Sequence, residues 1–255
     1  MRVLGPICRR WPFAVAAIGC IIVAAFIARA ADPSTLWNLV HGQCVPRAIQ
    51  AVDPTPCTEV DLAGGTALLK DIDGVAQFLL IPTARVTGIE DPAILAADVP
   101  NYWHAAWQAR RYLEQRIGHK MPRESLSLAI NSAFGRSQNQ LHIHVDCIRA
   151  DVRDALQAHL AAVGTQWSDF PLPLAGQHYR AMRIEQPALD ATDPFRLLAQ
   201  VVQPGQMGQH TLVLAGVTFR ETGPGFILLD DEVDRARDDS AHGEALQDHG
   251  CVLAR

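Results

Sequence analysis

Between Arg136 and Ile148 the chain reads RSQNQLHIHVDCI. Gln138, Gln140, His142, His144 and Asp146 are polar at every second position, and Leu141, Ile143, Val145 and Cys147 fill the positions between. Strict alternation predicts a half-buried β-strand, one face in the core and one face open. Two strand-like runs lie upstream, TALLKDID (66–73) and AQFLLIPT (76–83), and DIDG between them supplies hairpin turn residues. YWHAAWQARRYLEQRIG (102–118) places Trp103, Ala106, Trp107, Leu113 and Ile117 near helical spacing, and Gly118 stops it. SLSLAIN (125–131) is a further strand. Hairpin, helix, hairpin predicts an α+β fold, with helices packed on one antiparallel sheet.

Beyond Asp151 the pattern is looser. Helices are expected over 151–164 and 193–202, and strands over 178–185, 210–219 and 225–231. The tail from Asp230 is rich in charge and reads as mostly solvated. Residues 32–62 carry Pro, Cys and Asp, with a short helix expected over 34–41.

The first residues form a separate object. Arg2, Arg9 and Arg10 precede an uncharged stretch from Trp11 to Ala28, followed by Arg29-Ala30-Ala31. A positive end, an apolar segment and an A-x-A-like site fit a secretory signal. The apolar stretch also reaches the lower limit for a membrane span, and a retained anchor is the favoured expectation. Either way the rest of the chain is exported. The expected organisation is thus a signal or anchor over 1–31, a disulfide-tied segment over 32–62, a catalytic core over 63–150 and an extension packed on it over 151–255.

Cysteine usage agrees with export. Outside the leader stand Cys44, Cys57, Cys147 and Cys251, an even number that permits three pairings in an oxidising compartment. Cys44 with Cys57 would close a short local loop. Cys147 with Cys251 would pin the C-terminus to the histidine strand; the alternative is that Cys147 is a small buried thiol. The net charge is −5, with two lysines beside twenty arginines and no basic run, which argues against a nucleic-acid partner.

Three chemistries suit paired imidazoles on one strand. A metal site needs a third ligand and an open position; Asp146 stands on the same face, but no further ligand series plainly follows it. A solvated sheet face is the plain alternative. The third is a nucleophilic imidazole that attacks phosphorus, splitting one displacement into two, with amides placed around the phosphate.

Asn131 stands eleven residues before His142 and Gln138 four before it. Both spacings, with the polar row and the segment LLKDID…FLLIPTARVTGIEDP, resemble the histidine-triad superfamily over roughly residues 60–150. The leader, QCVPRAIQ…PCTEV, LLKDIDG, WQAR, LAINS and QNQLHIH…CIR are together similar to the bacterial CDP-diacylglycerol pyrophosphatase family. That resemblance implies a histidine-triad-like fold and an enzyme at the bacterial inner membrane. It would be anchored by a single pass, with its catalytic part in the periplasm, cleaving CDP-diacylglycerol to CMP and phosphatidate.

By the same resemblance, His144 is the nucleophile, beside His142. Asn131 and Gln138 hold non-bridging oxygens, and Asp71 binds ribose hydroxyls, with a turn-initiating role as its alternative. Lys70 is a weaker phosphate candidate, because strand geometry points it away from Asp71. Arg149 is a candidate for an anionic lipid head or a solvated strand end. Asp146 departs from the superfamily, whose third histidine it replaces; an ionised carboxylate cannot donate, so its expected part is to orient an imidazole. No metal is required, and a divalent cation accompanying the pyrophosphate stays open, as does the oligomeric state. Two alternatives are kept: a metal-dependent exported phosphoesterase with His142 and His144 as ligands, and a non-catalytic nucleotide-binding module.

Overall fold

The computed structural model describes residues 32–51 and 53–254. The expected leader lies outside the described residues. Among the described residues no helix is long and apolar enough to cross a membrane.

Helix α1 (Thr35–Leu39) runs through a π-helical turn into α2 (Val45–Ile49). Strands β1 (Glu59–Asp61), β2 (Thr66–Lys70) and β3 (Phe78–Pro82) precede helix α3 (Tyr102–Ile117). Then come β4 (Leu126–Ile130), β5 (Ile143–Cys147), α4 (Ala150–His159), β6 (Ser168–Asp169), β7 (Arg180–Ile184), α5 (Pro194–Ala199), β8 (His210–Phe219) and β9 (Gly223–Glu232). The strands form one sheet in the order β1-β2-β3-β5-β4-β8-β9-β7-β6, antiparallel at every pairing. This is an α+β fold built on a large antiparallel sheet. The sheet runs without a break across residue 150, because β8 pairs with β4.

Period two sorts the side chains of this sheet. Phe78, Leu80, Leu128, Ile143, Val145, Leu214 and Leu228 face α3, whose Trp103, Ala106, Trp107 and Leu113 pack among them. Asn101 caps that helix by accepting from the His104 N–H at 3.0 Å, and Gly118 ends it in the left-handed conformation at φ 93°. On the opposite face two smaller clusters form. Leu79 and Ile81 of β3 meet Leu36 and Val40 from the N-terminal helices. Ala129, Val213, Ala215 and Leu229 meet Val152 and Leu156 of α4 and Leu246. The row His142, His144, Asp146 lies on this second face.

Two expectations need correction here. The polar face of the histidine strand is not open: His142, His144 and Asp146 are 7%, 5% and 0% exposed. Nor is the tail from Asp230 mostly solvated. β9 extends to Glu232 as an interior strand; Asp230, Asp231 and Asp239 are buried, and His210 Nδ1 lies 2.8 Å from Asp230 Oδ1. The second correction explains the first, since the chain after β9 returns over the histidines.

Candidate active site

That return is a C-terminal arm, residues 240–251, held against β5 and its flanking loops by backbone and side-chain bonds together. The Ser132 N–H donates to Ala241 O at 3.1 Å, Arg149 N–H to Leu246 O at 3.0 Å, Asp248 N–H to Cys147 O at 2.9 Å and Val75 N–H to His249 O at 2.9 Å. Gly243 lets the arm lie flat: a Cβ there would stand 2.4 Å from Thr211 Oγ1 and 2.7 Å from Val213 Cγ2. Its N–H instead donates to that hydroxyl at 3.0 Å. A disulfide joins Cys251 to Cys147 with a Cα–Cα separation of 5.3 Å. A second joins Cys44 to Cys57 and ties the N-terminal helices.

The arm brings Glu244 onto the histidine row. Its carboxylate accepts from Gln77 Nε2 at 2.9 Å and from Asn131 Nδ2 at 3.2 Å. It lies 3.2 Å from His144 Nδ1, 3.3 Å from His242 Nε2 and 3.5 Å from His249 Nε2. Burial alone would push this carboxyl up. The His242 contact, the His144 ring and the Gln77 and Asn131 amides outweigh burial and hold it well below the usual carboxylate range.

His144 is held at its Nδ1 edge, where Gln77 Nε2 approaches to 2.8 Å. Its Nε2 is shielded from solvent and has no hydrogen-bond partner among the described residues. Burial first, then the neighbouring His142 ring, lower its pKa from 6.5 to about 3, so the ring is neutral at pH 7. His142 stacks edge-on against it, ring centroids 4.9 Å apart. The His142 Nδ1–H donates to Gln140 O at 2.7 Å, and burial keeps that ring neutral too. Asp146 turns to the arm: its Oδ2 lies 2.7 Å from His249 Nδ1, and its Oδ1 accepts from the Cys147 N–H at 2.8 Å. The Asp146 bond raises the pKa of His249 and favours its cation.

Of the residues singled out from the sequence, Asn131, His142, His144 and Asp146 come together here. Asp71 lies at the rim, at the end of β2. Its N–H donates to Gln77 O at 3.1 Å, its carboxylate accepts from the Asp73 N–H at 3.3 Å, and its charge is felt at His142 and His249. Gln138 is engaged elsewhere: its Oε1 accepts from the Leu36 N–H and its Nε2 donates to Asp32 O, each at 3.1 Å. Lys70 donates to the carbonyls of Asp71, Asp73 and Gly74 and closes the hairpin turn. Arg149 pairs with Asp151 at 2.7 Å and donates to Ala245 O.

Sequence reasoning missed Gln77, Glu244, His242 and His249. For the last three a signal existed: a Cys147–Cys251 pairing puts every residue just before Cys251 beside the histidine strand. Asp146, Cys147 and Cys251 are the group of potential metal ligands among the described residues whose ligand atoms lie within 4.8 Å of one another. Both sulfurs of that group are consumed in the disulfide.

A shielded, neutral imidazole with one engaged and one free nitrogen, ringed by amides and further imidazoles, suits displacement at phosphorus. The comparisons define the class as a hydrolase. A model of the family "CDP-diacylglycerol pyrophosphatase" matches residues 31–255, and a CDP-diacylglycerol pyrophosphatase of Yersinia pestis is 40% identical over 239 residues, 91% of each chain. The chain belongs to the CDP-diacylglycerol pyrophosphatase family.

Proposed function

We propose that the chain hydrolyses the pyrophosphate bond of CDP-diacylglycerol to CMP and phosphatidate through a cytidylyl intermediate on His144. The observation that carries this reading is the state of the His144 ring: Nδ1 is engaged, while Nε2 is buried without a partner among the described residues. A buried polar atom left unpaired is costly, and a catalytic role is one physical reason for it to persist.

In the first step the Nε2 lone pair attacks the phosphorus that bears cytidine. The bond from that phosphorus to the bridging oxygen breaks, and phosphatidate leaves with the electron pair. Water then attacks the same phosphorus, the P–N bond breaks and CMP departs, with the water proton passing to solvent or a neighbouring imidazole. His142, neutral and in ring contact, shapes the same surface.

The polar row on an antiparallel sheet supports the histidine-triad resemblance. The two disulfides support an oxidising location such as the periplasm, and a retained N-terminal anchor would hold the enzyme beside its lipid substrate. The reading requires no metal, and a divalent ion on the pyrophosphate is compatible with it.

Hydrolysis in ¹⁸O-labelled water tests which phosphorus is attacked. The label is expected in CMP; label in phosphatidate would overturn the assignment. The pH dependence is a second check. An imidazole with the ordinary pKa of 6.5 loses nucleophilicity as it protonates below neutrality, whereas His144, lowered to about 3, stays neutral throughout that window. The rate constant kcat/KM should therefore show no fall centred near 6.5 between pH 8 and 5. An acid limb centred there that tracks protonation of His144 in the free enzyme would contradict the assigned state.

A further inference from the structure

We propose that Glu244, delivered by the C-terminal arm, is the positioning residue that fixes the proton of His144 on Nδ1 and so frees the Nε2 lone pair for attack. The proposal rests on the reading of His144 as nucleophile and extends it to a residue about a hundred positions away.

Two groups compete for Nδ1. The Gln77 amide nitrogen is 2.8 Å from it and Glu244 Oε1 is 3.2 Å from it. If Gln77 donated to Nδ1, the ring proton would sit on Nε2 and the nucleophilic nitrogen would be blocked. If Nδ1–H donates to Glu244, Nε2 carries the lone pair. Which nitrogen of a histidine is protonated follows from what the other faces, and an ionised carboxylate is the stronger partner. The Gln77 amide, with two N–H groups, also donates to the same Glu244 Oε1 at 2.9 Å, so the carboxylate faces both competitors at this edge of the ring.

Glu244 is built to stay ionised and in place. Asn131 grips it twice, donating to Oε2 at 3.2 Å and accepting the Glu244 N–H at 3.1 Å. Behind it His249 points Nε2 at Oε1 from 3.5 Å, while Asp146 holds the other nitrogen of that ring at 2.7 Å. The chain Asp146, His249, Glu244, His144 thus starts and ends on β5, two residues apart. Attack at phosphorus turns His144 into an N-phosphorylated cation, and the carboxylate at Nδ1 stabilises that charge where it develops.

The test uses the full chain, ¹⁵N-labelled at histidine, as wild type, Glu244→Gln, Glu244→Asp and His144→Ala. Two-bond ¹⁵N–¹H correlations are expected to show His144 protonated at Nδ1 in the wild type and at Nε2 in Glu244→Gln. With the wrong tautomer, kcat should fall by about 10³–10⁴-fold, the size seen when an orienting carboxylate is neutralised in a serine protease, with KM changed little. Glu244→Asp should restore part of kcat and the Nδ1–H signal. An unchanged tautomer and kcat in Glu244→Gln, with His144→Ala inactive, would overturn the role of Glu244 and leave the nucleophile standing. Faster turnover in Glu244→Gln would overturn it too, marking the carboxylate as a cover over the anion site. Activity in His144→Ala would instead defeat the nucleophile reading on which the proposal rests.

Discussion

His144→Ala is expected to abolish hydrolysis of CDP-diacylglycerol, by at least about 10⁴-fold in kcat, since a missing nucleophile removes the covalent route itself. The fold should survive. His144 pairs across the sheet with Leu79 and Ala129 through backbone bonds that alanine keeps, and loss of the ring leaves Gln77 and Glu244 still bonded to one another. A melting curve within a few degrees of wild type, beside absent CMP release, is the expected pair of results. His142→Ala should act differently, lowering the rate without abolishing it, because that ring touches the nucleophile but does not bond to phosphorus.

The second large effect concerns the arm. Replacing Cys147 and Cys251 by serine removes a bond that closes a loop of 104 residues in the unfolded chain. Cross-links over loops of this size stabilise by about 2–5 kcal/mol, so the denaturation midpoint should drop accordingly. Activity should fall further than the unfolded fraction explains, because His249 lies two residues from Cys251 and Glu244 seven. Urea titration and initial rates on the same preparations separate the two losses. A variant that loses stability but keeps full kcat in the folded state would show that the arm holds its place without the disulfide.

Much of the scaffold was legible because it rests on local rules. Gly118 and the spacing of Trp103, Trp107 and Leu113 marked α3, and DIDG marked the β2–β3 turn. The alternation of residues 141–147 marked which side chains of β5 enter the main core. Alternation says only that two faces differ in polarity, however. It could not show that the polar face is also covered, because its cover comes from residues 240–251.

Glu244, His242 and His249 were hidden for the same reason. DDEVDRARDDSAHGEALQD looks like a solvated tail by composition, yet Asp230 and Asp231 lie in the interior strand β9 and Glu244 closes on His144. Gln77 carried no sign of its role, being one polar residue before an apolar strand. Gln138 shows the converse. Its spacing from His142 singled it out, and its side chain is spent on the N-terminal helix. Spacing along a strand fixes which face a residue takes, but not which neighbour reaches it first.

The covalent step is the centre of this account, and the most direct test is intact-protein mass after brief mixing of the full chain with CDP-diacylglycerol in detergent, quenched without acid. The expected result is a transient adduct of one cytidylyl group, mapped to His144 and absent from His144→Ala. CMP release at the normal rate, with no adduct at any quench time and ¹⁸O still in CMP, would mean that water attacks directly and that His144 serves some other purpose.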